Sequence, residues 1–227
     1  MNKKQLEFTS ILNDAFGQYE KRIAAFMFEN KEKYEGYARL NVAPSSAYTD
    51  DEIFNRIAFA ILSANSPFDD SVKALNVCIK KRARGETVKP RDIVWFKQVP
   101  AKAKYINKLN AHWLQGLKKR GGETWHEYRL RLQKSVLGLG LAKASFAACL
   151  LYPLDADLAC VDTWIQKVFL GNTGFKQLGL ADYLLVESKI RTFANCFGIS
   201  TFLAQWLIWD HARGVQSDHA IFPGSHK

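Results

Sequence analysis

VLGLGLAKASFAACLLYPLDADLACVDTWIQKVF, running from Val136 to Phe169, is the stretch whose reading decides the fold. Two glycines one residue apart, Gly138 and Gly140, let the chain turn tightly or left-handed with no Cβ penalty. A run of small and apolar residues follows to about Leu151 and reads as a helix. The first N–H groups of such a helix have no intrahelical partner and favour an anion. Leu137, Leu139 and Leu141 are spaced to pack the two flanking helices together. Taken alone, the Gly-x-Gly also suits an ordinary helix–helix turn. Lys143 stands 19 residues before Asp162, and Asp162 opens a second helix, Asp162 to Phe169. An aspartate there suits an N-cap. An amine and a carboxylate that converge can also attack an electrophilic sugar carbon.

Working outward, the 227 residues are 48% hydrophobic, enough for a substantial core in one unit or two closely packed lobes. No run of 18 apolar residues is present, so no membrane-spanning helix is expected. MNKKQLEFTSILNDAFGQYEKR lacks a secretory pattern, and the expected compartment is cytoplasmic, nucleoid-associated or, for a phage protein, the host cytoplasm. Cys78, Cys149, Cys160 and Cys196 form no CxxC pair, so buried free thiols are expected and no metal site. The five histidines show no ligand spacing.

The net charge is +10, and 17 of the 32 Lys and Arg residues lie between Lys73 and Lys134, opposed there by four acids. That concentration reads as a polyanion-binding surface; a solvated helical face is the alternative.

The rest of the chain reads as helices. One is expected from Lys3 to about Asn30, then irregular chain from Glu32 to Tyr48 because of Gly36 and Pro44. Thr49 and Glu52 form a capping-box pattern before a helix that closes near Ser63–Asn65. Another is expected from Asp69 to Arg84, with Gly85 as its stop. Pro90 and Pro100 each mark a helix start, the second helix continuing towards Lys119. An amphipathic helix covers Glu123 to Val136. Two more lie around Leu180–Phe197 and Ser200–Arg213, and the final residues look loose.

Two blocks in this order resemble the helix-hairpin-helix superfamily of base-excision DNA glycosylases. VLGLGLAKASFAACLL…CVDTWIQKVF is similar to its hairpin and catalytic aspartate. IAFAILSANSPFDDSVKA, Ile57 to Ala74, is similar to its helix ending in Ser-x-Gln or Ser-x-Asn beside DNA. The resemblance is nearest the 8-oxoguanine branches, including the short archaeal type. It implies an all-α, two-lobed fold: residues 49–134 form a helical lobe with a basic surface. Residues 135–169 carry the hairpin and aspartate, and the N-terminal and 170–213 helices complete the other lobe. It implies double-stranded DNA held in a cleft with one nucleotide extruded; a monomer without a cofactor is expected. The cysteine set of relatives with an iron–sulfur cluster is missing.

Residue by residue, the resemblance implies that Asp162 stabilises charge on the sugar as the base leaves or orients a nucleophile. Capping and catalysis are compatible. In the bifunctional members a helix lysine attacks the sugar and forms a Schiff base. Their usual pattern is Gly-x-Gly-x-Lys, and here that register puts Ala142 in the lysine's place with Lys143 one residue later. One residue turns a helical side chain by about 100°, which leaves Lys143 as nucleophile, as phosphate or pocket contact, or as a surface lysine. Gly138, Leu139, Gly140 and Ala142 are implied DNA contacts. Asn65 is the implied partner of the orphaned opposite base, since an amide both donates and accepts; a turn residue ahead of Pro67 is the alternative. Phe68 is a wedge or core. Trp164, Trp206 and Trp209 are base-stacking or core residues, and Asp210 with His211 is a candidate pair for base recognition or proton transfer.

Three functions follow. The first is a DNA glycosylase that removes an 8-oxoguanine-like base, with abasic-site lyase activity if Lys143 faces the pocket. The second is a transferase that joins an amino acid or polyamine to an activated 5-hydroxymethyl pyrimidine in DNA, as in phage thymine hypermodification. The third is a non-catalytic DNA-binding protein.

Overall fold

The computed structural model describes residues 18–40, 42, 48–94, 98–171 and 178–216, and among these the only regular structure is helical. The α-helices are α1 (Gln18–Leu40), α2 (Asp50–Leu62), α3 (Phe68–Ala83), α4 (Val99–Asn110), α5 (Trp125–Ser135), α6 (Leu141–Leu151), α7 (Thr163–Leu170), α8 (Leu180–Phe197) and α9 (Thr201–Arg213). Short 3-10 turns lie at Pro90–Asp92 and Leu114–Leu117. No helix among the described residues is long and apolar enough to cross a membrane.

α2 is the axis of the first group of helices. Thr49 and Glu52 form the expected capping box, the Thr49 hydroxyl accepting from the Glu52 N–H (3.2 Å) and the Glu52 carboxylate from the Thr49 N–H (2.7 Å). From Ile53 on, α2 is apolar nearly all round, the pattern of a helix buried on every side. It packs against α3, α4, α6 and the Leu114–Leu117 turn. α5 and α6 form the helical hairpin, and α5 starts with a capping box of its own at Thr124 and Glu127. In the second group, α9 packs on α1, α7 and α8. One apolar core runs through both groups. It contains Cys78 and Cys149, and burial pushes the thiol of Cys78 up to about 12.

Three expectations need correction. Glu32 to Leu40 is helix, the continuation of α1, because fully buried Tyr34 and Ala38 tie it to the core; that offsets the roughly 1 kcal/mol cost of a helical Gly36. Residues 1–17, where the first helix was expected to begin, lie outside the described residues. α4 ends at Asn110 instead of running on towards Lys119. Arg131 takes up the carbonyls of the following turn, Gly116 (2.8 Å) and Lys118 (2.7 Å), and the Lys119 N–H donates to the Tyr152 hydroxyl (2.9 Å). Finally, the basic stretch is not all surface. Arg129 is fully buried on Glu187, Arg131 pairs with Glu123, Arg82 pairs with Asp51, and Lys102 is buried.

The link from α6 to α7 is held from below. The Glu187 carboxylate accepts from Arg129 (2.8 Å) and from the Ala159 N–H (3.0 Å). The Tyr183 hydroxyl donates to the Ala159 carbonyl (2.6 Å) and accepts from the Val161 N–H (3.3 Å). A buried ion pair contributes little net stability. Here it fixes the backbone that delivers Asp162 to the start of α7.

Candidate active site

The candidate residues lie at the end of α2 and at the starts of α6 and α7, with α9 packed on α7. Gly138 has φ +95°, and a Cβ there would come within 2.4 Å of the Tyr105 ring, so glycine is required both by conformation and by close approach. Gly140 is the N-cap of α6 and gives it no side-chain cap. The N–H groups of Leu141, Ala142 and Lys143 have no partner among the described residues, because the ladder begins at Ala144 N–H to Gly140 O (2.8 Å). Such an end binds anions. Leu139 is buried, with its N–H on the Val136 carbonyl (3.3 Å), so it packs the hairpin. Leu137, expected to pack, is 49% exposed.

Asp162 caps α7. Its Oδ1 accepts from the N–H groups of Trp164 (3.0 Å) and Ile165 (3.1 Å). Its Oδ2 accepts from the Trp209 indole N–H (2.8 Å). The capping alternative therefore holds, and it leaves one face of Oδ2 for another group. Cys160, buried just before it, has its thiol pushed up to about 12 by burial; the Lys143 charge opposes that shift and the Asp162 charge adds to it. The protonated thiol is thus inert and lies within electrostatic range of both groups.

Lys143 is half-buried, over the Phe146 ring (5.0 Å), and donates to the Ser63 hydroxyl (3.0 Å) at the end of α2. Among the described residues no ion pair joins it to Asp162. The amine thus reaches across to α2. Lys102 is there too, donating to the carbonyls of Leu62 (2.8 Å) and Ala64 (2.7 Å) and to the Ser66 hydroxyl (2.7 Å). Burial, then the Lys143 charge, lowers its pKa from the ordinary 10.5 to about 8. Asn65 stands exposed in this turn with φ +52°. Phe68 packs edge-on against Phe59 (5.7 Å) at the start of α3, which is a core role.

The remaining candidates separate. Trp164 is exposed beside Asp162, with Lys167 over its ring (4.4 Å). Trp209 touches Asp162 and carries the Arg213 guanidinium on its ring (4.0 Å). Trp206 is buried against Tyr34 and Phe202, so its ring belongs to the core. Asp210 and His211 each have a contact on α1. Asp210 is fully buried and accepts from the Tyr34 hydroxyl (2.5 Å), whereas His211 packs on Phe26 (5.3 Å).

Sequence reasoning missed Lys102 and Gln205. Gln205 is 6% exposed one turn before Trp209, and its Oε1 has no partner among the described residues. A lone amide within the apolar run FLAQWLIW was the available signal.

This arrangement of helices is the fold seen in solved structures of 8-oxoguanine DNA glycosylases. The 8-oxoguanine DNA glycosylase of Thermotoga maritima matches with TM-score 0.68 and 19% identity, over 87% of this chain and 97% of that one. The Methanocaldococcus jannaschii 8-oxoguanine glycosylase/lyase, solved with a 15-mer DNA containing 8-oxoguanine, matches with TM-score 0.70 and 16% identity, over 87% and 100%. A second structure of the M. jannaschii enzyme matches with TM-score 0.68. At this identity the likeness is one of fold. No protein-family model and no curated protein sequence matches the chain.

Proposed function

We propose that the protein is a DNA glycosylase: it extrudes one nucleotide from duplex DNA and cleaves its glycosidic bond, with Asp162 as the catalytic carboxylate. One observation carries this reading. Within a glycosylase fold, a carboxylate fixed by three N–H donors sits at the start of α7, and the start of α6 keeps its N–H groups open for a phosphate. The two groups of helices are the lobes that clasp the duplex, and the protein acts as a monomer. The hairpin takes a phosphate through backbone N–H groups of Gly140 to Lys143, Asn65 enters the space left by the extruded nucleotide, and Trp164, Trp209 and Gln205 surround the base. A carboxylate held where positive charge develops lowers the barrier electrostatically. The Lys143 amine, engaged by Ser63, favours a route through Asp162 without a Schiff base.

That same placement of Lys143 favours a second reading, the transferase acting on an activated 5-hydroxymethyl pyrimidine, which needs no lysine nucleophile. Mass spectrometry of duplex oligonucleotides separates the two. The substrates carry 8-oxoguanine, uracil, 5-hydroxymethyluracil or its pyrophosphorylated form, with an amine supplied and borohydride trapping in parallel. Free base without a trapped adduct supports the monofunctional glycosylase. A trap lost in Lys143→Ala restores the lyase. An intact glycosidic bond with mass added to the pyrimidine establishes the transferase, and binding without any product leaves a DNA-binding protein.

A further inference from the structure

We infer that buried Lys102 is a positioning residue that aims Asn65 into DNA; the inference rests on the DNA-extruding role proposed above. The last carbonyls of a helix have no intrahelical partner and carry its negative dipole end. At the end of α2 those of Leu62 and Ala64 are buried or half-buried, and the Lys102 ammonium supplies both with donors. It also donates to Ser66. An ammonium is a multiple donor, and this one reaches residues 62, 64 and 66, which bracket Asn65 on both sides.

That bracketing matters because Asn65 is held left-handed, at φ +52°, a conformation few non-glycine residues adopt and one that reverts when its surroundings loosen. Its side chain is exposed, so packing does not hold it in place. The constraint comes from the flanking backbone, and Lys102 provides it from α4, a helix distant in sequence. The same turn offers Ser63 to Lys143, so Lys102 also determines where that amine rests.

The test is a double-mutant cycle read by DNA binding. The probe is a duplex with a tetrahydrofuran abasic analogue and 2-aminopurine opposite it, whose fluorescence reports a residue entering the vacated space. Asn65→Ala is expected to weaken binding about tenfold and abolish the fluorescence change, and Lys102→Met to do the same with no further loss in the double variant. Ser66→Ala, which removes one of the three acceptors, is expected to lose about threefold and to be silent once Asn65 is gone; it decides the matter if Lys102→Met does not fold. Losses that multiply, or a Lys102→Met protein that binds and signals like the wild type, overturn the inference. Asn65→Ala behaving as wild type overturns the insertion role and this inference with it. Coupling that persists in a protein that releases no base leaves the inference standing and removes the glycosylase reading.

Discussion

Two helix starts, those of α6 and α7, are built oppositely. α6 begins at Gly140 with no side chain over its N–H groups; α7 begins at Asp162, whose carboxylate covers them. An open start is a place for another molecule's anion. A closed one has used its positive end to fix an anion of the protein's own. One physical feature, unpaired N–H groups, is left open at the first start and positions a carboxylate at the second.

The sharpest way to break the comparison is Asp162→Asn. Base release in single-turnover assays is expected to fall on the order of 10²–10³-fold. The loss of stability is expected to stay below about 1 kcal/mol in urea melts, because Asn caps a helix about as well as Asp and only the charge at the start of α7 is lost. A variant that keeps its rate removes Asp162 from catalysis. Gly138→Ala comes next, since the new methyl meets the Tyr105 ring at a φ of +95°. A cost of about 2 kcal/mol is expected by denaturation, together with weaker DNA binding as the hairpin shifts.

Gly140→Asp would give α6 the cap that α7 has. The position is extended and a Cβ there meets nothing within 4 Å, so stability is expected to rise by about 0.3 kcal/mol. DNA affinity is expected to fall about tenfold with a shallower salt dependence, as one phosphate contact is lost. Stability up and affinity down is the signature; both moving together would mean the open start has no ligand. Trp209→Phe keeps a ring and removes the indole N–H from Asp162 Oδ2. An activity loss of about fivefold with unchanged DNA affinity is expected, because a charge-assisted hydrogen bond is lost with little packing.

The smallest effect is one of pH. Lys102 titrates near 8 in the folded protein, below its ordinary 10.5. Between those values the unfolded chain binds the extra proton, so stability gains with rising pH. Comparing the stabilities of wild type and Lys102→Met from pH 7 to 10.5 is expected to show the wild type gaining on the variant above pH 8. Parallel curves would mean that Lys102 stays charged.

Much of this was legible in the chain. The Thr49–Glu52 box, the stop at Gly85, the Gly138–Gly140 turn, the cap at Asp162 and the last two helices follow from local rules. The sequence reading also named Asn65 and Trp209, which the fold places beside Lys102 and Asp162. It misjudged α1 beyond Glu32, where core contacts of Tyr34 and Ala38 outweigh a glycine. It treated the basic stretch as surface, although Arg129, Arg131 and Lys102 find carbonyl and carboxylate partners up to 58 positions away.

By itself the sequence determined most of the helices, the capping boxes, the left-handed turn at Gly138 and the cap at Asp162, features that depend on neighbours within a few residues. Only the tertiary structure decided where side chains went once they left their own helix. It sent Lys143 to Ser63, 80 residues away, Trp209 to Asp162, 47 residues away, and Asp210 to Tyr34, 176 residues away. Periodicity specifies which face a residue occupies. The partner waiting opposite is set by how two helices pack, and that depends on the shape of the whole core.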